Sequence, residues 1–425
     1  MLGLNINGHI LFLTRFIRLF SYGFLSVGLL LYLTEVGYSQ SQIGVLFTGI
    51  LIGDLVITLF LTTRADRFGR RNILIVGALL KIGAGLTFAF VDSFAALLLA
   101  GTIGIISPTG GEIGPFLAIE QACLTESMND PEQITKIFGY YNFAGYFAQA
   151  FGALSSGYMI TMMMNIHGYL ALTAYRAVLI GHAVFGGLKL VLYSFLSHSI
   201  EPAVQARDLL SAQKNWWFTK FGLHRKTSVT IVTKLSALFT LDAFAGGFVM
   251  QTIIVYWFHE TYHIDTDLLG LMMMGVNVLA GISALAATPL VHKIGAVNTM
   301  VVTHFPSNLF LILVPLMPNQ RLAVIMLLIR FCISQMDVPA RQTYIATVVD
   351  ADERSAAGGI TNIVRSVGLS LSPLIAGYLL KDPSNTLLFS LPFIISGTLK
   401  CLYDILLYLS FRFSAPVSVS ITEKK

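Results

Sequence analysis

The chain has 425 residues, 55% of them hydrophobic and only 12% charged, with a mean hydropathy of +0.74. A soluble protein carries about a quarter charged residues, so a soluble core of this length is excluded. The formal charge of +5 does not point to nucleic acid, because the basic residues sit in short loops between apolar runs, which is how membrane topology is written.

Runs long enough to cross a hydrocarbon core of about 30 Å as helices fall at 11–33, 43–61, 73–91, 94–117, 137–160 and 169–196, then at 229–258, 268–291, 300–317, 322–347, 357–380 and 387–411. The first run has no Lys or Arg before Leu11 and no small-residue cleavage site, so it is expected to stay as the first span. An even number of spans puts both termini on one side. Arg64, Arg67, Arg70, Arg71, Lys136, Arg207, Lys214, Lys220, Arg225, Lys226, Lys293, Arg354, Arg412, Lys424 and Lys425 all fall on that side, and the opposite loops hold only Arg321 and Lys381. The positive-inside rule makes the charged side cytoplasmic, and a plasma membrane is the expected location.

The polar connector 197–228 divides residues 1–196, six spans, from 229–411, six more; 412–425 form a tail. Leu210, Trp217 and Phe221 recur at helical spacing beside Arg207, Lys214 and Lys220, which predicts an amphipathic helix on the inner leaflet; a disordered tether is the alternative. Cys123, Cys332 and Cys401 lie in or beside apolar segments without metal-ligand spacing, so buried free thiols and no metal site are expected.

Between the second and third runs, Asp66-Arg67-Phe68-Gly69-Arg70-Arg71 resembles the signature loop of the major facilitator superfamily, G-x-L-A-D-R-x-G-R-R; Thr62 and Arg64 stand where that loop has Gly and Leu. The resemblance covers nearly the whole chain. It implies an all-α membrane fold of twelve transmembrane helices in two pseudo-symmetric six-helix bundles, related as parallel repeats. An ungapped offset of 220 agrees, pairing Asp130 with Asp350, Gly139 with Gly359, Asn142 with Asn362, Gly157 with Gly377 and Tyr158 with Tyr378. His292-Lys293-Ile294-Gly295 reads as a degraded second copy of the basic loop. In the family the loop aspartate latches the cytoplasmic side, which here implies Asp66 against the start of the eleventh span near Ala357. Arg67, Arg70 and Arg71 are expected to meet Glu126, Asp130 or anionic lipid, with Gly69 making the turn.

A charge at the bilayer centre costs at least about 2.5 kcal/mol, so ionisable residues within spans are candidates for function. The resemblance implies that the first, fourth, seventh and tenth spans line the cavity, and these carry Arg15 and Arg18, Glu112 and Glu120, Asp242, and Arg330, Asp337 and Arg341. In the fourth, Ser107-Pro108-Thr109-Gly110-Gly111-Glu112-Ile113-Gly114-Pro115 cannot hold a regular helix. Broken backbone at membrane depth is tolerated where it is buried in protein or lines a cavity. Glu112, with no basic residue three or four positions away, is therefore the first candidate to carry a coupling proton; the alternative is a hinge carboxylate that satisfies backbone donors. The family's R-x-x-Q-G arginine has no counterpart, since Glu120-Gln121 ends this helix.

Asp337 and Arg341 share a helical face and are read as an ion pair, either working or static, with Arg365 as a second possible partner beside Asn362 and Ser366. Arg18 is expected to bridge to Asp54, and Arg15 to snorkel to phosphates. Lys81, Lys189 and Lys400, on peripheral spans, are expected to snorkel or pack; Arg176 and His182 to be satisfied within the bundle. Tyr140, Tyr141, Asn142, Tyr146 and Gln149 make the fifth span polar, and Asn142, Tyr146 and Asn277 join the substrate-cavity candidates.

No G-x-x-x-x-G-K-[ST], H-E-x-x-H or G-x-S-x-G in a strand-to-helix setting occurs, so neither an enzyme nor a cofactor is expected. The resemblance implies a secondary transporter, and the mixture of acids with Arg18, Arg330, Arg341 and Arg365 favours a small polar or anionic organic solute. Glu112, Asp242 or Asp337 is expected to exchange a proton as the site changes face by alternating access. The expected partners are the solute, a proton or other coupling ion and the bilayer, with the protein a monomer. Two alternatives remain: an exporter of amphipathic drug-like or siderophore-like compounds, and a non-transporting membrane sensor on the same fold.

Overall fold

The computed structural model describes residues 4–112, 114–127, 134–201, 226–349 and 353–412. The predicted linker helix, Asp130, Asp350 and the tail beyond Arg412 lie outside these residues.

Among the described residues, ten helical stretches are long and apolar enough to cross a membrane. They comprise α1 (Ile6–Glu35), α2 (Gln40–Thr62), α4 (Arg70–Phe90), α8 (Ala171–Ser194), α9 (Lys226–Gly247) continued by α10 (Gln251–Tyr262), and α11 (Thr266–Ile294). They go on with α12 (Ala296–Leu313), α13 (Gln320–Ile333) continued by α14 (Asp337–Val348), α15 (Arg354–Leu379) and α16 (Thr386–Phe411). The two other expected spans differ from this pattern in an informative way. The fourth is divided into α5 (Phe94–Ile103) and α6 (Phe116–Glu126), and the fifth is α7 (Ile134–Thr161), long but made less apolar by its tyrosines, Asn142 and Gln149. A four-residue turn of helix, α3 (Ala65–Phe68), sits inside the basic loop.

Local chemistry sets the helix ends. Asn5 caps α1 by accepting from Gly8 N, and Ser39 with Gln42 forms a reciprocal capping box at α2. Exposed Val45, Ile52, Val56 and Phe60 form one stripe of α2, as a lipid-facing surface requires. Gly69, at φ 93°, begins α4, and Gly295, at φ 84°, begins α12. Both sit in the left-handed region that Gly enters without strain, so the degraded copy of the loop keeps its turn although most of its charges have gone.

The chain forms two compact units. The first contains the N-terminal spans together with Val249–Val278 and Pro373–Phe389; the second contains the rest of the later spans. Within the first, α1 is the central helix, buried almost without interruption from Leu19 to Leu33. It meets α7 backbone to backbone: a Cβ on Gly23 would stand 2.0 Å from the Gln149 carbonyl, and one on Gly152 2.0 Å from that of Phe20.

Two further crossings in this unit lie at the ends of the helices opposite the basic loop. Gly157 of α7 lies against Thr266 and Gly270 of α11, and Gly44 of α2 against Pro373 and Gly377 of α15. Thr161 and Thr266 hydroxyls, 2.9 Å apart, hold the first crossing. In the second unit, Gly247 abuts Ser372 and Gly368 abuts Thr240, so α9 and α15 are also in close contact.

Candidate functional site

Three of the four spans assigned to the cavity by resemblance are broken near mid-depth. The fourth runs irregularly from Gly104 to Pro115; the seventh opens over Phe248, Val249 and Met250; the tenth opens over Ser334, Gln335 and Met336. Only the first of these breaks was legible in the sequence, from its prolines and glycines. The freed backbone groups are met by side chains. Gln149 donates to the Gly110 carbonyl at 2.6 Å, Thr252 to that of Pro108 at 2.7 Å, and the Ser107 hydroxyl to that of Gly111 at 2.8 Å. Ser283 accepts from Gln335 N at 3.2 Å. Asn277, buried, accepts from Gln251 at 2.9 Å, and Gln251 in turn lies against Gly110.

Within the first unit these elements hold a buried charge network. Arg15 Nη1 lies 2.8 Å and Arg18 Nε 2.7 Å from the two oxygens of Glu112, and Arg18 Nη1 lies 2.7 Å from Glu120. Arg15 also donates to the Tyr141 carbonyl at 2.8 Å and to Asn142 at 3.1 Å. Glu120, fully buried, accepts from Tyr193 at 2.5 Å, from Thr14 at 3.2 Å and from the Tyr141 hydroxyl. Lys189 Nζ sits 3.1 Å from the centre of the Phe116 ring. Lys81 donates to Ser21, whose oxygen lies 2.9 Å from His182 Nδ1.

The second unit holds a network of its own. Asp242 Oδ1 is 2.6 Å from Lys400 Nζ and 3.8 Å from His304 Nε2, and its Oδ2 is 3.3 Å from Arg341 Nη1. Arg341 reaches Asp337 at 3.7 Å, so the predicted pair is present, shared with Asp242. Asp337 occupies the first turn of α14, where the helix N-terminus also favours a negative charge. His304 Nδ1 lies 2.9 Å from Asp404, which also accepts from Asn308 at 3.0 Å. Arg330 is buried over the Phe331 ring; Arg365 is half-buried and Asn362 exposed.

Several expectations are corrected. Glu112 does not lack cations, because Arg15 and Arg18 reach it from another helix, which spacing within its own helix cannot reveal. Arg18 accordingly does not bridge to Asp54; that carboxylate takes the Thr58 hydroxyl at 3.4 Å and the Gly114 N–H. Arg15 does not snorkel. Of the two fates expected for Lys81, Lys189 and Lys400, packing rather than snorkelling is seen: all three are buried, and Lys400 pairs with Asp242. Arg70 and Arg71 reach the Ile200 and Ser194 carbonyls at 3.1 and 2.5 Å, and both backbone N–H groups donate to Glu201. Cys332 is exposed, whereas Cys123 is buried. The side chains of Asp66 and Glu126 lie outside what is described, and with them the proposed latch.

Another expectation holds in part. His182 is satisfied inside the bundle; Arg176 departs from the expectation, since its partner at 2.7 Å is the exposed Asp92 at the margin of the bundle. His304, Asp404 and Lys400 were missed as functional candidates. The available signal was two i,i+4 pairs, His304 with Asn308 and Lys400 with Asp404, in otherwise apolar spans.

Buried charge networks on interrupted helices, in a chain composed almost wholly of membrane-crossing helices, define a polytopic carrier. The chain belongs to the Major Facilitator Superfamily, whose family model matches residues 11–373 and 235–425. It is therefore a secondary transporter, a multi-pass membrane protein and not an enzyme. It is 26% identical over 423 residues to the uncharacterized membrane protein YJR124C of Saccharomyces cerevisiae, covering 95% of this chain and 93% of that one. It is 21% identical over 363 residues to the quinolone resistance protein NorA of Staphylococcus aureus, covering 84% and 86%. Its fold matches the inward-open xylose transporter XylE from E. coli with a TM-score of 0.72 at 15% identity over 97% of both chains.

Proposed function

We propose that the protein moves a small polar organic solute, with a preference for anions, by alternating access coupled to protons. Six spans before the linker and six after it act as the two moving halves, with both termini in the cytoplasm. The observation that supports the charge preference is the crowd of basic side chains in the first unit: among the described residues, Arg15, Arg18, Lys81 and Lys189 are buried around the carboxylates of Glu112 and Glu120. Burying a charge without a partner is expensive, so Lys81 and Lys189, which no carboxylate pairs directly among the described residues, gain most from an anion that enters beside them.

Glu112, Asp242 and Asp337 remain the proposed proton carriers, on altered grounds. Glu112 is one-fifth exposed between two guanidinium groups. It takes a proton when Arg15 and Arg18 turn to a bound anion instead, which ties solute entry to proton entry. Arg18, Glu120, Asn142, Tyr146, Asn277, Arg330, Arg341, Asn362 and Arg365 are the proposed cavity residues.

A second reading, export of amphipathic compounds, is favoured by the likeness to the quinolone resistance protein. Purified protein in proteoliposomes separates the two. Gluconate, succinate and citrate are tested for uptake driven by a pH gradient, and ethidium for gradient-driven extrusion. Accumulation of an organic anion that collapses with a protonophore supports the first reading; ethidium movement with no anion flux replaces it by the second.

A further inference from the structure

His304 lies between two acids that belong to different helices, bonded to one and near the other. Nδ1 faces Asp404 Oδ1 of α16 at 2.9 Å, and Nε2 faces Asp242 Oδ1 of α9 at 3.8 Å. The imidazole is buried on α12.

The two sides are unequal. Asp404 also accepts from Asn308 Nδ2 at 3.0 Å, and an amide donor favours its ionised form. An ionised carboxylate only accepts, so the 2.9 Å contact puts a proton on Nδ1. Asn308 Nδ2, 3.1 Å from the same nitrogen, then serves Asp404 alone. The tautomer so fixed leaves Nε2 as the nitrogen that gains or loses a proton.

Asp242 is where that proton is felt. Its Oδ1 is the oxygen that Lys400 holds at 2.6 Å, and its Oδ2 the one that Arg341 holds at 3.3 Å. A proton on Nε2 places a third cation around this carboxylate, at the oxygen Lys400 already occupies. The further charged or titratable neighbours include Asp337, which shares Arg341, Arg330 on the adjoining α13, Arg365 on α15, and Tyr403, whose ring meets the imidazole edge-on at 5.9 Å. The arrangement has two charge states with different best geometries. With Nε2 bare, Lys400 and Arg341 hold Asp242; with Nε2 protonated, the imidazolium competes for Oδ1 and Lys400 is released to find another anion.

We propose that Nε2 of His304 is a proton-binding site in the second unit, and that its loading is traded against the hold of Lys400 on Asp242. The role in transport rests on the proton-coupled reading above; the site itself does not. Because α9, α12, α14 and α16 all contribute to the network, a proton at Nε2 biases how these helices pack.

Exchange of the imidazole C2 hydrogen for deuterium, followed by mass spectrometry on the full chain in lipid nanodiscs, reports the titration of each histidine from its own peptide. The expected result for His304 in the wild-type protein is a sigmoidal rate with a midpoint between about pH 5 and 8. Asp242→Asn should lower the midpoint by about one pH unit or more, a tenfold loss of proton affinity, and Lys400→Gln should raise it. A flat profile for His304, or a midpoint that Lys400→Gln leaves in place, overturns the proposal even if Asp242→Asn does not fold. Uptake that ignores a pH gradient while His304 titrates as described would refute proton coupling and leave the site standing. Gradient-driven uptake with a flat His304 profile would refute the site alone.

Discussion

The crossing of α7 and α11 at Gly157 gives the sharpest expectation. A Cβ at Gly157 would stand 2.2 Å from the Thr266 carbonyl oxygen, 2.9 Å from Gly270 Cα and 3.1 Å from Gly270 N. All three are backbone atoms, so no side-chain rotation relieves the clash. Ordinary contact between carbon atoms lies at about 3.5 to 4.0 Å, and restoring it moves the two helices apart by on the order of 1 Å. Overpacking of this kind costs about 1 to 3 kcal/mol. Because the strain is present only while this crossing is closed, Gly157→Ala should shift the equilibrium toward the state open on that side by about 5- to 150-fold. The assay is modification of single cysteines, introduced in a cysteine-free background at Ile160 and Leu269, both buried while the crossing is closed, by a membrane-impermeant maleimide. Faster labelling in Gly157→Ala, at unchanged thermal stability in detergent, is expected. Labelling rates equal to the parent's would refute the view that this contact closes the side opposite the basic loop.

Gly377→Ala should act in the same direction, since its Cβ would meet the Gln40 carbonyl at 2.3 Å, and the two substitutions together should label no slower than either alone. Asp242→Asn leaves Lys400 and Arg341 short of a carboxylate and should lower stability by about 3 to 5 kcal/mol. Asp242→Asn with Lys400→Met should regain part of that loss in thermal unfolding, and strictly additive losses would mean the pair is not coupled. Glu201→Gln keeps the size of the group that caps the start of α4 but removes its charge, and should cost about 0.5 to 2 kcal/mol; thermal melts of the two proteins decide it. Glu112→Gln mimics the protonated acid, so accumulation driven by a pH gradient should be lost while exchange of labelled for unlabelled solute persists; gradient-driven uptake at the wild-type rate would move the coupling role to Asp242, Asp337 or His304.

The sequence by itself determined the membrane character and most of the architecture. Twelve apolar runs, the Asp66 loop and the asymmetry of basic residues are local properties, and hydrocarbon leaves a chain little choice but to close its backbone hydrogen bonds within helices. The break at Pro108, Gly110, Gly111 and Pro115 was likewise legible, because those residues disfavour a helix wherever they stand. The interruptions at Phe248–Met250 and Ser334–Met336 were not, for neither segment holds a proline, and their freed groups find partners only in the folded bundle.

What only the tertiary structure decided is who meets whom. Arg18 had Asp54 at a plausible depth on the next helix, but the rotation of α1 about its own axis, set by the Gly23 and Gly152 contact with α7, turns it to Glu112 and Glu120. Lys400 read as a residue of a peripheral helix, and His304 drew no attention, yet both face Asp242. Apolar spans carry a weak stripe pattern when lipid and protein interior are equally greasy, so the sequence shows that a charge lies in the membrane and leaves its direction to packing.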